Sequence, residues 1–222
     1  MNGQGPGIQP MTAAYDLFLR ELHATGREYG DGFSFIDPQQ LTAEERVKTR
    51  DALRACIGRQ EARAPKTLAV VDPGPDTVAL LQVLFKASAG AAAPSDFDIA
   101  VAGALAYLVD APPALDLLER TAVGGGGMWI RGAAMEGLII AYESSNASAR
   151  LARLVRTQSD EDALQLCADG LLQRHGWHIE DEATQDEALA LLDDMMSGDA
   201  ARRDAALLTV LKAPVHRWPW TA

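Results

Sequence analysis

The chain has 222 residues, of which 48% are hydrophobic but only 6% aromatic, and alanine and leucine are its commonest residues. This composition argues against a β-rich fold, because small and flexible aliphatic side chains favour helices. The 20 Lys and Arg residues against 31 Asp and Glu residues give a formal net charge of −11, which opposes attraction to the phosphates of nucleic acids and of anionic membranes. We therefore expect an acidic, all-α protein whose partner is neither nucleic acid nor a membrane.

Helix signals begin after a leader that is rich in glycine and proline. Residues 1–11 are predicted to be a disordered leader, and the basic and apolar stretches of a signal peptide are not seen in it. Apolar residues at helical spacing predict a first helix over residues 15–22. Thr42 and Glu45 have the spacing of a capping box, which predicts that the next helix begins there.

Prolines shape the rest of the N-terminal part. A stretch with three of them follows the second helix, namely Pro65, Pro73 and Pro75. A strongly apolar helix is expected to begin at Asp76 or Thr77, and residues 90–94 are expected to connect it to the next helix. Residues 12–94 are therefore interpreted as a helical part that consists either of degenerate repeats or of a capping subdomain.

Residues 95–213 contain a repeated pattern. Three helices are predicted there, at 96–109, 128–143 and 160–174. A shift of 33 residues superposes a small residue and the large aliphatic residue that follows it in each helix: Ala104-Leu105, Gly137-Leu138 and Gly170-Leu171. This constant period indicates that the three helices are equivalent parts of a repeat.

A second helix follows each of these three. The second helices are predicted at 112–121, 147–157 and 184–196. The last of them has a capping-box pattern at Thr184 and Glu187, and a final helix over 199–212 is followed by Pro214. Successive helix pairs at a constant period are typical of an α-solenoid, so we predict an all-α solenoid of stacked antiparallel helix pairs. The tail, residues 214–222, is expected either to close the last repeat or to form an apolar hook with Trp218 and Trp220.

One string in the repeats resembles a known family. Ile130-Arg131-Gly132-Ala133-Ala134-Met135-Glu136-Gly137-Leu138 is similar to the first helix of short bacterial HEAT-like repeats, in which an aliphatic residue and Arg precede Ala-Ala and then Leu. Arg203-Asp204-Ala205-Ala206-Leu207-Leu208 has the same pattern with Asp where a small residue is commoner. Other copies depart from it, since Asp98 and Leu164 stand where Arg is expected. The resemblance covers about residues 95–212 and implies a right-handed HEAT-like superhelix.

Patterns that could carry chemistry are weak. The run of four glycines at 124–127 does not have the Gly-Lys-Ser/Thr ending of a P-loop and is interpreted as a linker. His175 and His178, with three carboxylates behind them, could hold a metal only with further ligands. The alternative is a helix end in which Gly176 supplies a left-handed turn. We favour the helix end, and predict no catalytic residue, no metal and no cofactor.

The two cysteines indicate in which cellular compartment the protein is expected. Cys56 and Cys167 are far apart in sequence and lie within apolar helical patterns, so we predict two buried, reduced thiols. No apolar stretch reaches the length of about 18 residues that a membrane helix needs. These features predict a cytoplasmic protein.

Charge clusters give the candidate binding residues. Arg150, Arg153 and Arg156 recur every three residues along one predicted helix and form a basic stripe. Eight acidic residues and no Lys or Arg lie between His175 and Ala201. Both clusters are either ordinary solvated faces or parts of a binding surface that the second helices line. The residues predicted for an interface are Arg150, Arg153, Arg156, Trp177, Glu180, Asp181 and Glu182, with Trp177 as the anchor because tryptophan is enriched at binding hot spots.

These observations predict a non-enzymatic protein-protein interaction module with a basic protein as partner. A concrete form is an immunity or adaptor protein that neutralises a basic toxin such as a nuclease, since an acidic surface speeds association with a basic one. The resemblance to HEAT-like repeats leaves two alternatives open. One is an enzyme on this scaffold, such as a lyase or a nucleic-acid glycosylase, although a glycosylase needs a basic groove. The other is a structural subunit of a larger assembly.

Overall fold

The computed structural model describes residues 11–30, 32–34, 36–88, 93–124 and 127–216. Within these ranges the fold is all-helical, with twelve α-helices, one 3₁₀ turn and no strand. Most of the predicted leader and connector, two of the four glycines at 124–127, and Trp218 and Trp220 of the tail lie outside the described residues.

The helices follow one another with short connections. The N-terminal part contains α1 (Ala13–Leu22), α2 (Arg27–Gly30), α3 (Ala43–Gly58), α4 (Ala64–Val71) and α5 (Pro75–Ser88), with the 3₁₀ turn Pro38–Gln40 before α3. The rest of the chain contains α6 (Asp96–Leu108), α7 (Pro112–Ala122), α8 (Met128–Ile139), α9 (Ala147–Thr157), α10 (Glu161–Arg174), α11 (Gln185–Met196) and α12 (Ala200–Lys212).

Capping signals predicted one helix start correctly and one wrongly. The Glu45 N–H donates to Thr42 Oγ1 (3.2 Å), and the Thr42 N–H donates to Glu45 Oε2 (2.9 Å), so the capping box of α3 is confirmed. The capping box predicted at Thr184 is wrong, since the side chain of Thr184 makes no cap bond to α11. Its hydroxyl donates instead to the His178 carbonyl (3.0 Å) and accepts from the His178 N–H (3.2 Å). Thr184 therefore closes the preceding loop.

Helix α4 lies in the proline-containing stretch, for which no helix was predicted. Pro65 occupies its first turn, where the missing N–H has no helical partner to lose and the fixed φ suits a helix. Helix α8 ends at Ile139 and not at 143. The Tyr142 N–H donates to the Ala106 carbonyl of α6 (2.7 Å), so the backbone leaves the helix to pair with a neighbour.

The glycines of the 33-residue pattern lie where helices cross. Helix α8 packs against both α6 and α10, while α4 and α5 pack against α6. A Cβ on Gly137 would lie 3.1 Å from the Gly103 Cα, and a Cβ on Gly170 would lie 2.9 Å from Met135 Sδ. Small residues at these positions therefore let the helix axes approach closely.

One cluster of buried apolar side chains runs from Phe18 to Val210. Cys56 and Cys167 lie within it as buried free thiols, as predicted. Burial raises the pKa of Cys167 to about 12, which keeps that thiol protonated and unreactive. None of the described helices has both the length and the apolar character needed to cross a membrane.

Candidate functional site

The three arginines of the predicted basic stripe form ion pairs with carboxylates of the same chain. Arg150 Nη1 lies 2.6 Å from Asp116 Oδ1 and 2.7 Å from Glu119 Oε2, both on α7, and its side chain is 12% exposed. Arg153 shares Glu119 with it. Arg156 Nε lies 2.7 Å from Asp204 Oδ1 on α12. The stripe on α9 therefore links α7 to α12.

The predicted helix end at Gly176 is confirmed. Gly176 has φ +84°, the left-handed conformation that favours glycine. The Gly176 N–H donates to the Gln173 carbonyl (3.1 Å) and the Trp177 N–H donates to the Leu172 carbonyl (3.0 Å), which together make a Schellman motif. This motif turns the chain into the loop of residues 177–184 and leaves Trp177 half-buried against the core.

The two neighbouring histidines do not form a metal site. Buried His175 lies with Nδ1 2.8 Å from the Ala213 carbonyl and Nε2 3.0 Å from Ser148 Oγ, and burial lowers its pKa. Nowhere in the described ranges do three His, Cys, Asp or Glu side chains group so as to hold a metal ion.

Arg174, directly before His175, has a structural role that the sequence did not predict. It is fully buried, and it donates to the carbonyl oxygens of Ile139 (2.8 Å), Ala141 (2.6 Å) and Tyr142 (3.0 Å). The guanidinium therefore caps the C-terminus of α8, where a cation is favoured. Burial lowers its pKa to about 10, so it stays charged at neutral pH.

An acidic cavity lies between α10, the loop of residues 177–184 and α11. Its volume is about 620 Å³. It is lined by three carboxylates, one imidazole, two amides and three aliphatic side chains: Asp162, Asp169, Glu180, His178, Gln165, Gln173, Leu166, Ile179 and Leu192. None of these lining residues is Lys or Arg. Of the residues predicted for an interface, Glu180 lies in this cavity, while exposed Asp181 and Glu182 follow it in the loop.

Asp169 is the innermost carboxylate of the acidic cavity. Burial raises the pKa of its carboxyl, and the charge of Glu180 raises it further. A hydrogen bond from Gln173 Nε2 (2.7 Å) and the nearby His178 lower it, but the net shift is upward. The site therefore holds a carboxylate whose negative charge is incompletely compensated within the chain. A cation in the cavity would compensate it.

A lysine cavity of about 410 Å³ lies between α4, α6 and α8. Lys66 of α4 forms an ion pair with Glu136 of α8 in its wall. Burial lowers the pKa of Lys66 even though Glu136 acts in the opposite direction. Trp129, at the rim, is 91% exposed. The cavity thus combines apolar walls, one perturbed amine and an exposed indole, features typical of ligand sites.

A smaller cavity of about 190 Å³ joins these two. It shares Glu136 with the lysine cavity, and it shares Asp169 and Gln173 with the acidic cavity. We call the three adjoining cavities the groove. Its walls come mainly from the first helices α6, α8 and α10, with α4 at one end and the loop of residues 177–184 and α11 at the other. The second helices, which were expected to line a binding surface, contribute Leu192 of α11.

The 33-residue period also relates two carboxylates of the groove. Glu136 and Asp169 are separated by the same 33 residues as Gly137 and Gly170, and each carboxylate directly precedes its glycine. Because the glycine is at the helix crossing, the preceding residue in each copy points to the same face of the repeat. The period thus places carboxylates along the groove as well as small residues in the core.

No family model, no curated protein and no solved structure matches the chain. Its function is therefore proposed from the geometry and charge of the groove.

Proposed function

We propose that the chain is a non-enzymatic protein-binding module, built as a HEAT-like superhelix, that binds a basic protein segment in the acidic cavity. An immunity or adaptor protein in the cytoplasm that neutralises a basic toxin is the concrete form of this proposal. The observation that carries it is a cavity with three carboxylates and no lining Lys or Arg.

Two arginines support the HEAT-like arrangement. Arg131 Nε of α8 donates to the Ala122 carbonyl at the end of α7 (3.1 Å). Arg203 Nη2 of α12 donates to the Ser197 carbonyl just after α11 (2.7 Å). The two arginines that carry the sequence resemblance thus cap the preceding helix in the same way. The packing of α8 against both α6 and α10 supports the stacking of first helices.

The walls of the acidic cavity suit the side chain of an Arg or Lys residue. Such a side chain has an apolar stem and a charged head, and the cavity offers Leu166, Ile179 and Leu192 beside its carboxylates. A guanidinium between Asp169 and Glu180 would offset the burial and the like charge that together raise the pKa of Asp169. The net charge of −11 attracts a basic partner from a distance.

The interface proposed here uses the acidic residues more than the basic stripe. Glu180 lies in the cavity, and Trp177, Asp181 and Glu182 belong to the same loop. Arg150, Arg153 and Arg156 already have carboxylate partners on α7 and α12. We assign the stripe to the cohesion of these helices.

The test compares two triple variants of equal charge. The cavity variant carries Asp162→Asn, Asp169→Asn and Glu180→Gln. The control variant carries Glu28→Gln, Asp110→Asn and Glu143→Gln, at three exposed positions away from the groove. Binding of two labelled peptides of equal length, one rich in arginine and one rich in glutamate, is measured by fluorescence anisotropy at about 100 mM salt, where the Debye length is about 10 Å.

We expect the arginine-rich peptide to bind the natural sequence and the control variant equally. The cavity variant should bind it at least tenfold more weakly, a loss of about 1.4 kcal/mol, and the glutamate-rich peptide should bind none of the three. Equal loss in both variants would mean that only net charge attracts the peptide, and the proposal would be wrong.

A further inference from the structure

The lysine cavity has the size and walls of a small-molecule site. Its volume of about 410 Å³ lies in the range of natural ligand pockets, about 300–1,000 Å³. Apolar side chains from three helices line it, among them Val70 of α4, Ile99 of α6 and Ile140 of α8. Gly103 and Gly137 also border it and add no side chain to its interior. Polar side chains line it as well, among them Arg63, Asp96 and Thr67. A small molecule with an apolar body and one polar group can therefore contact both kinds of wall there.

Lys66 differs from the other lysines of the chain. The sequence contains four lysines, and three of them are exposed: Lys48, Lys86 and Lys212. The side chain of Lys66 is 28% exposed, and burial lowers its pKa, whereas a hydrogen bond from Lys48 to Glu44 raises the pKa of Lys48. At a given pH, Lys66 therefore has the larger fraction of neutral, nucleophilic amine.

Glu136 lies against the amine from the opposite wall. It comes from α8, it contacts Lys66 Nζ directly, and its carboxylate is half-exposed. A carboxylate in this position can accept a proton from the ammonium and return it to a leaving group. The cavity therefore combines a partly buried amine, a carboxylate placed to accept its proton, and apolar side chains in its walls.

We propose that the lysine cavity binds a small apolar aldehyde or ketone and that Lys66 captures it as an imine. Glu136 first takes a proton from the Lys66 ammonium, and the amine lone pair then attacks the carbonyl carbon while the carbonyl π pair moves to oxygen. The nitrogen passes a proton to that oxygen, which gives a neutral carbinolamine. Glu136 protonates the hydroxyl, the nitrogen lone pair expels it as water, and the protonated imine pairs with the regenerated carboxylate.

This capture needs no oxidant or reductant, and its products are one imine and one water. It gives a covalent complex without turnover, and it concerns a different cavity from the one proposed for the basic partner. The competing explanation is a purely structural ion pair between α4 and α8. The two explanations differ in how Lys66 reacts.

Reductive trapping of the full chain tests the proposal. The folded protein is treated with benzaldehyde and cyanoborohydride over a range of pH, and the benzylated lysines are located by peptide mass mapping. We expect Lys66 to be modified at least tenfold faster than Lys48, Lys86 and Lys212 at neutral pH, and the preference to vanish in denaturant. The proposal is overturned if Lys66 in the folded chain reacts no faster than the exposed lysines.

The relay role of Glu136 is tested by Glu136→Gln, with Glu44→Gln as the matched control beside Lys48. Loss of the Glu136 charge should shift the pH profile of Lys66 labelling to lower pH, because that charge raises the pKa of Lys66. If Glu136 relays protons, the maximal labelling rate should also fall at least tenfold, and Glu44→Gln should change neither. A shifted profile with an unchanged maximal rate would show that Glu136 is only a structural partner.

Discussion

The lysine cavity and the acidic cavity each contain one partly buried charged side chain, and the two side chains have different neighbours. In the lysine cavity, Lys66 has an opposite charge, Glu136, directly against it. In the acidic cavity, Asp169 has a neutral hydrogen-bond donor, Gln173, and both the like charge of Glu180 and the imidazole of His178 nearby, and the net shift of its pKa is upward. In the lysine cavity the positive charge is therefore neutralised by a side chain of the same chain, so this cavity suits an uncharged ligand. In the acidic cavity, negative charge remains that a bound cation would neutralise.

Both cavities depend on the position of α8 or α10, and Arg174 joins these two helices. We expect Arg174→Met to lower the free energy of unfolding by about 3 kcal/mol or more, because several buried carbonyl groups at the end of α8 lose their donor. Urea denaturation followed by circular dichroism measures this loss.

Arg20→Met provides the matched control, since Arg20 is exposed and pairs with Asp16 one turn away. Its effect should stay within about 0.5 kcal/mol. If both substitutions lower the free energy of unfolding by similarly small amounts, Arg174 does not hold α8 and α10 in place.

The basic stripe should affect neither cavity. Arg150→Ala leaves Glu119 nearly buried with one partner fewer, so we expect a loss of about 1.5–3 kcal/mol in the free energy of unfolding. Arg156→Ala breaks an exposed pair with Asp204 and should cost less than about 1 kcal/mol. Folded Arg150→Ala protein should bind the arginine-rich peptide as tightly as the natural sequence does. A tenfold weaker binding would show that the basic stripe belongs to the interface.

Local signals predicted local structure. The capping box at Thr42 and the left-handed turn at Gly176 involve residues within a few positions of each other, and both are present. A third local signal failed, since the Thr184 hydroxyl bonds His178 in the preceding loop and does not cap α11. Contacts between distant residues were not predicted at all. Arg174 ends α8 from more than 30 positions away, and Lys66 meets Glu136 across 70 positions. The acidic loop was predicted through Glu180, but Asp169 was not, because its role depends on how α10 faces the loop.

The charge of Asp169 should lower the free energy of unfolding at neutral pH. The pKa of Asp169 in the folded state lies above its unfolded value of 3.8. Protonated Asp169 thus contributes stability below pH 3.8, and this contribution is lost as the pH rises through the folded pKa. We expect Asp169→Asn to raise the free energy of unfolding at pH 7, by less than about 1 kcal/mol, and the gain to disappear below pH 3.8. A loss of stability at pH 7 would show that Asp169 is compensated within the chain.

The most direct test of the central claim is the titration of the Asp169 carboxyl itself. Carbon-detected NMR follows this carboxyl in the free protein and in the presence of saturating arginine-rich peptide, and Asp169→Asn assigns its signal. We predict that the pKa of Asp169 is raised in the free protein and falls when the peptide is bound, because a cation in the cavity favours the carboxylate. A bound peptide that leaves the pKa of Asp169 unchanged would contradict the assignment of the acidic cavity as the binding site.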